Sequence, residues 1–120
     1  MTEDEMWEAE LALWKKLSET PTIYVSGGDP DEFKGAVLKK LSYKRMRFSC
    51  PFCEKHHDDG LCPVGRRDGC GNPPCCASNV PYLKWSDYFR NARYHNQEYA
   101  KSCYDYLLKL KRRVDFTRLD

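Results

Sequence analysis

Six of the seven cysteines and two of the three histidines fall between Cys50 and Cys76, in the run CPFCEKHHDDGLCPVGRRDGCGNPPCC. Thiolates and imidazoles at this density point to a bound metal. Zinc takes four such ligands in a tetrahedron, and Cys50-Pro51-Phe52-Cys53 presents two sulfurs from one tight knuckle, which is half a site. The other half has to come from Cys62, Cys70, Cys75, Cys76, His56 or His57. Their spacing, Cys62-x7-Cys70 and then Cys70-x4-Cys75, matches no standard finger. Gly60, Gly65, Gly69, Gly71, Pro63, Pro73 and Pro74 permit the sharp reversals that wrap an ion and offer almost nothing apolar to bury. The segment is therefore expected to be disordered without its metal.

A disulfide framework is the competing account. The cysteine count is odd, no secretory leader is expected, and C-x2-C is a poor disulfide pair in a cytosolic chain, so zinc is favoured. An iron–sulfur cluster ranks below both. One ion is expected rather than two, because the adjacent Cys75 and Cys76 crowd any second tetrahedron.

Hydrolytic metal chemistry lacks its motifs. A zinc deaminase needs H-x-E followed by P-C-x-x-C, and a zincin needs H-E-x-x-H; neither occurs in this sequence. His56-His57-Asp58 after a cysteine pair leaves an HNH-type nuclease as the least unfavourable enzyme, but a second C-x2-C is missing. The chain is read as a non-enzyme, with His56 and His57 exposed to solvent or kept as a spare ligand. Gly27-Gly28 before a helix lacks the lysine and glycine pattern of a phosphate loop.

The elements that must hold this loop are mostly helical. The 120 residues are read as one domain (1–120) in three parts: a helical 1–41, a strand and zinc loop over 42–84, and a long helix over 85–114. Thr2-x-x-Glu5 is a capping box that opens a helix over 3–18. Trp7, Leu11 and Trp14 lie on one face of it, with Met6, Leu13 and Leu17 beside them. Its acids Glu3, Asp4, Glu5, Glu8 and Glu10 are read as complementing the helix dipole. Thr20-Pro21 ends it, Ile23-Tyr24-Val25 is a short extended piece, and Asp29-Pro30 starts a second helix over 30–40 with Phe33, Val37, Leu38 and Leu41 inward. Residues 42–49 alternate bulky and basic side chains and are read as a strand leading into the knuckle. Beyond the loop, Trp85, Phe89, Ala92, Asn96, Tyr99, Cys103, Leu107, Leu110 and Val114 recur at three and four residues, which predicts one helix over 86–113. That helix is expected to lie antiparallel on the first, with Cys103 as a small buried hydrophobe.

The expected fold is thus mostly α with a small α+β zinc-binding element between the two packed helices. Mean hydropathy is −0.78 and no run of 18 apolar residues occurs, which excludes a membrane-spanning helix. Charge is uneven: residues 1–35 hold 9 acids and 3 bases, and residues 36–120 hold the remaining 9 acids and 17 bases. Arg45 and Arg47, with Arg66 and Arg67 in the loop, form a candidate basic patch for phosphates or an acidic protein surface. Tyrosines 88, 94, 99, 104 and 106 are too many for one core face, so some, such as Tyr88 and Tyr94 beside Arg93, are expected at an interface.

The ordering Cys-x2-Cys, then Cys62-Pro63-Val64, then Cys70, then Tyr82-x-x-Trp85 and a long helix resembles small cysteine-rich zinc-binding proteins encoded by phages and prophages, over roughly residues 50–110. The resemblance implies Cys50, Cys53, Cys62 and Cys70 as ligands. Members of that family often carry a further cysteine just before the Cys-Pro, where this chain has Asp59, and Cys75-Cys76 is additional; Cys75 or Cys76 is the substitute for Cys70. By class, such proteins bind host machinery stoichiometrically in the host cytoplasm, and anti-CRISPR inhibitors of an effector nuclease share their size. A host-protein-binding inhibitor is accordingly the expected function, and a nucleic-acid-binding regulator, favoured by Lys109, Lys111, Arg112 and Arg113, is the alternative.

Overall fold

In the computed structural model, which describes residues 2–20, 30–43, 50–56, 63, 85 and 96–118, the first helix starts at its capping box. Helix α1 is Glu3–Glu19. Thr2 Oγ1 accepts from the Glu5 backbone N–H at 3.1 Å and donates to Glu5 Oε1 at 3.1 Å, so Thr2 and Glu5 hold each other across the first turn. Acids in that turn and Lys16 in the last follow the helix dipole. At the other end Thr20 is extended, its N–H donates to the Leu17 carbonyl at 3.3 Å and its hydroxyl to the Lys16 carbonyl at 2.7 Å. Those bonds satisfy two of the carbonyls that a helix end leaves open.

Helix α2 is Pro30–Lys40, as its proline and its apolar spacing require. It closes in a Schellman arrangement: the Tyr43 N–H reaches the Leu38 carbonyl at 2.9 Å and the Ser42 N–H reaches the Lys39 carbonyl at 3.1 Å. This closure puts Ser42 at φ 79°, a left-handed position usually given to glycine. Tyr43 folds back against the core from there. Ser42 and Tyr43 therefore finish a helix, where the sequence pattern gave the start of a strand; the remainder of that expected strand, residues 44–49, lies outside the described residues.

Helix α3 is Pro51–His56, which corrects the expectation of a bare knuckle at Cys50–Cys53. Pro51 supplies a fixed φ at the first helical position, and Glu54 with Lys55 and His56 suit the two ends. Helix α4 is Asn96–Arg118. It extends past the expected end at Arg113 because nothing after Arg113 breaks a helix: Val114 still packs on the core, and Lys111 Nζ reaches Asp115 Oδ2 at 2.7 Å one turn on. Trp85 is helical, and the stretch 86–95 between it and α4 lies outside the described residues.

Packing organises these helices around α1, which contacts α2, α3 and α4. Gln97 at the start of α4 donates its side-chain N–H to the Ser18 carbonyl at the end of α1, 3.2 Å away. The two helices are thus antiparallel, as the sequence pattern required. Met6, Trp7, Leu13, Trp14 and Leu17 of α1 join Val37 and Leu38 of α2, Phe52 of α3, Trp85, and Ala100, Cys103 and Leu107 of α4 in one buried cluster. Each large side chain so buried is worth about 1.5–3 kcal/mol. Two aromatic pairs add orientation: Trp7 on Phe52, centroids 5.0 Å apart at 75°, and Trp14 on Trp85, 5.3 Å apart at 86°. Among the described residues there is no strand, and no helix is long and apolar enough to cross a membrane.

Candidate metal centre

Cys50 opens α3. Its carbonyl accepts the Glu54 N–H at 3.0 Å, which makes Cys50 the N-cap residue and brings the cysteine pair onto the first turn of a helix. Phe52 drives the placement. It is fully buried against Trp7, so α3 cannot swing away from α1 without exposing two aromatic rings.

Docked this way, Cys50 meets Glu10 of α1. The Cys50 thiol donates to Glu10 Oε2 at 3.8 Å, the Trp14 indole N–H donates to Glu10 Oε1 at 3.0 Å, and the Phe52 backbone N–H donates to the same carboxyl. Glu10 thereby caps α3 from another helix, satisfying one of the N–H groups a helix start leaves open. The carboxyl is 1% exposed. Burial pushes its pKa above the ordinary carboxylate value, against the opposing pull of Trp14, Lys34, Phe52 and Cys50. Lys34 lies over the Trp14 ring, its Nζ 5.8 Å from the centroid, and brings the nearby positive charge.

This corrects the reading of Glu10 as one more dipole-complementing acid at the surface. The periodicity held the signal: Glu10 follows Met6 and Trp7 and precedes Leu13, Trp14 and Leu17 at helical spacing, so it stands inside the apolar stripe. His56 is corrected likewise. It is 5% exposed rather than open to solvent, and its Nε2 pairs with Glu3 Oε1, so α1 and α3 are joined at two polar points. Cys103 behaves as expected: it is fully buried on α4, and burial pushes its thiol far above the usual range, which removes it from nucleophilic chemistry at neutral pH.

The remaining proposed ligands Cys62, Cys70, Cys75 and Cys76, the Cys53 side chain, and His57 lie outside the described residues. So do the expected partner-binding residues Arg45, Arg47, Arg66, Arg67, Tyr88, Arg93 and Tyr94. Among the described residues no group of three or more metal-capable side chains comes together; Cys50 and Glu10 are a pair.

A second feature of the surface lies on α4. Lys109, Arg112, Arg113 and Phe116, spaced as one helical face, are all exposed, and Phe116 is 72% exposed. The half of that face nearer the helix start carries Glu98, Lys101, Ser102 and Asp105 and is mixed in charge. Tyr99, Tyr104 and Tyr106 are half-buried against the core, so their rings pack while the helix face beside them stays open.

Comparison with known proteins gives no relative from which to carry a role onto these residues: no family model, no curated protein and no solved structure matches this chain.

Proposed function

We propose that this chain is a zinc-stabilised helical module that binds a protein partner in the host cytoplasm, an inhibitor of the anti-CRISPR kind that blocks a host effector nuclease. The observation that carries the binding role is the outer face of α4, where an exposed phenylalanine ends a row of three exposed bases. A large apolar ring among arginines is the composition that protein interfaces favour, because the ring supplies desolvated area and the guanidinium groups supply oriented hydrogen bonds. Near-balanced net charge of +2 and the acidic N-terminal helix weigh against a general phosphate binder. The resemblance to phage cysteine-rich proteins supports the inhibitor class.

Zinc is part of the proposal. Cys50 and Glu10 offer sulfur and oxygen donors of the types zinc accepts, and they are fixed in place by a helix start and a buried tryptophan. Cys50, Cys53 and Cys62 with Cys70, or with Cys75 or Cys76 in its place, would hold the ion, which supplies cross-linking that a glycine- and proline-rich loop has no core to provide. Elemental analysis should return one zinc per chain, and chelation at neutral pH should lower the melting temperature by many degrees.

Binding to nucleic acid is the second reading, favoured by Lys109, Arg112 and Arg113. Salt separates the two. Phosphate contacts release counterions, so a nucleic-acid binder loses affinity steeply, on the order of a thousandfold between low and physiological salt. A protein inhibitor anchored through Phe116 loses much less. The test is an assay of a CRISPR effector with the protein added before and after guide and target, together with titration of labelled duplex and single strands at two salt concentrations. Inhibition that survives salt and falls on Phe116→Ala supports the inhibitor. Submicromolar strand binding at physiological salt with no effect on any effector would replace it with the regulator.

A further inference from the structure

We propose that the zinc centre is not confined to the cysteine loop: Glu10 of α1 supplies one of its ligands through Oε2, so the metal joins α1 directly to the start of α3. This rests on the zinc reading above and names a ligand that the cysteine spacing does not contain.

The argument begins with the position. Glu10 Oε2 and Cys50 Sγ come from residues forty apart in sequence and stand 3.8 Å apart. Ligand atoms of a tetrahedral zinc with about 2.3 Å to sulfur and about 2.0 Å to oxygen are separated by roughly 3.5 Å, so the observed gap is close to one edge of such a site. The carboxyl is also held as a ligating carboxylate is held. Trp14 Nε1 fixes Oε1 at 3.0 Å and the Phe52 N–H binds the same group, which aims Oε2 at the sulfur and supplies the outer hydrogen bonds that metal-bound carboxylates usually carry. Finally, zinc takes deprotonated ligands, and the Glu10 carboxyl and the Cys50 thiol, which already meet in one part-buried contact, are two groups it would bind together. On coordination the Cys50 thiol proton, and the carboxyl proton wherever Glu10 holds one, would leave to solvent, and the metal would bind both atoms in their stead. Glu10 would then take the fourth position that the all-cysteine set above gives to Cys70, Cys75 or Cys76, with Cys50, Cys53 and Cys62 kept as the three sulfur ligands.

The test uses the full chain loaded with zinc. X-ray absorption at the zinc edge should show a mixed shell, three sulfurs at about 2.3 Å and one oxygen at about 2.0 Å. A shell of four sulfurs overturns the proposal and leaves the zinc centre itself standing. A chain that holds no zinc overturns both. The substitution Glu10→Gln keeps an oxygen for Trp14 and Phe52 but loses the charge, and it should weaken zinc retention against a competing chelator by more than about 100-fold, at unchanged helix content by circular dichroism. Retention equal to wild type in a folded Glu10→Gln chain overturns the proposal. If that variant does not fold, the absorption measurement on the wild-type chain decides.

Discussion

Helix α1 is held on two sides by different physics. Toward α4 it meets a surface whose buried residues, Ala100, Cys103 and Leu107, are apolar or behave so. Toward α3 it meets Phe52, but also Cys50 and His56, and it answers with Glu10 and Glu3. The first contact depends on area removed from water and is indifferent to register at the level of a few tenths of an ångström. The second depends on named atoms: a carboxyl that caps a helix start, a thiol, and an imidazole set against a carboxylate. Apolar packing can tell α1 that a helix lies alongside. With Phe52 seated on Trp7, the polar set adds atom-level contacts beside Cys50, where a metal could bind.

The largest effect should come from the apolar side. Leu107→Ala removes a fully buried side chain of α4 and should cost about 3 kcal/mol in urea unfolding, with the same loss measured with and without a chelator. A loss that grows when zinc is present would mean that the two sides are coupled.

On the polar side the corresponding handle is pH, read on the zinc-stripped chain. Glu10 has its pKa raised on folding, chiefly by burial. Folded protein therefore binds that proton more tightly than unfolded, and the stability it contributes is complete below the unfolded value near 4.5 and is lost as pH rises through the folded value. Unfolding measured from pH 4 upward should show this decline, and Glu10→Gln should flatten it. A decline that persists unchanged in Glu10→Gln would assign it to another group.

Cys103→Ala should cost only about 1 kcal/mol and leave zinc bound, because this thiol fills space on the apolar side. Loss of zinc in that variant would move Cys103 to the polar side. Effects of that size or smaller lie on α2 and at its close. An added methyl at Gly35 meets nothing within 4 Å, so Gly35→Ala should stabilise by about 0.8 kcal/mol through helix propensity alone. Ser42→Gly should gain about 1 kcal/mol by relieving the left-handed backbone at φ 79°. Calorimetric melting of the two variants checks both.

The helices were legible in the sequence wherever local rules decide. Thr2 with Glu5, the Asp29-Pro30 start, and the stripes of α1 and α2 state their own bounds and faces, and the stripe of α4 states its face, because capping and helical periodicity act within a few residues. The antiparallel pairing of α1 and α4 was expected from their two long apolar stripes. The residues of the short α3 also fit a helix, with Pro51 at a first turn and Lys55 and His56 at a last, but Cys50-x2-Cys53 by its spacing alone fits a knuckle as well.

What the sequence by itself determined, then, is a helical protein with an apolar stripe on α1 and a cysteine pair at residues 50 and 53. Only the tertiary structure decided that Cys50 and the Phe52 N–H meet Glu10 in that stripe, and that His56 is covered by Glu3. A glutamate at that helical phase can be met by apolar side chains or by polar ones. The difference is whether another helix brings N–H groups and a thiol to it, and contacts between residues forty apart are set by the packing of whole elements, which no local pattern encodes.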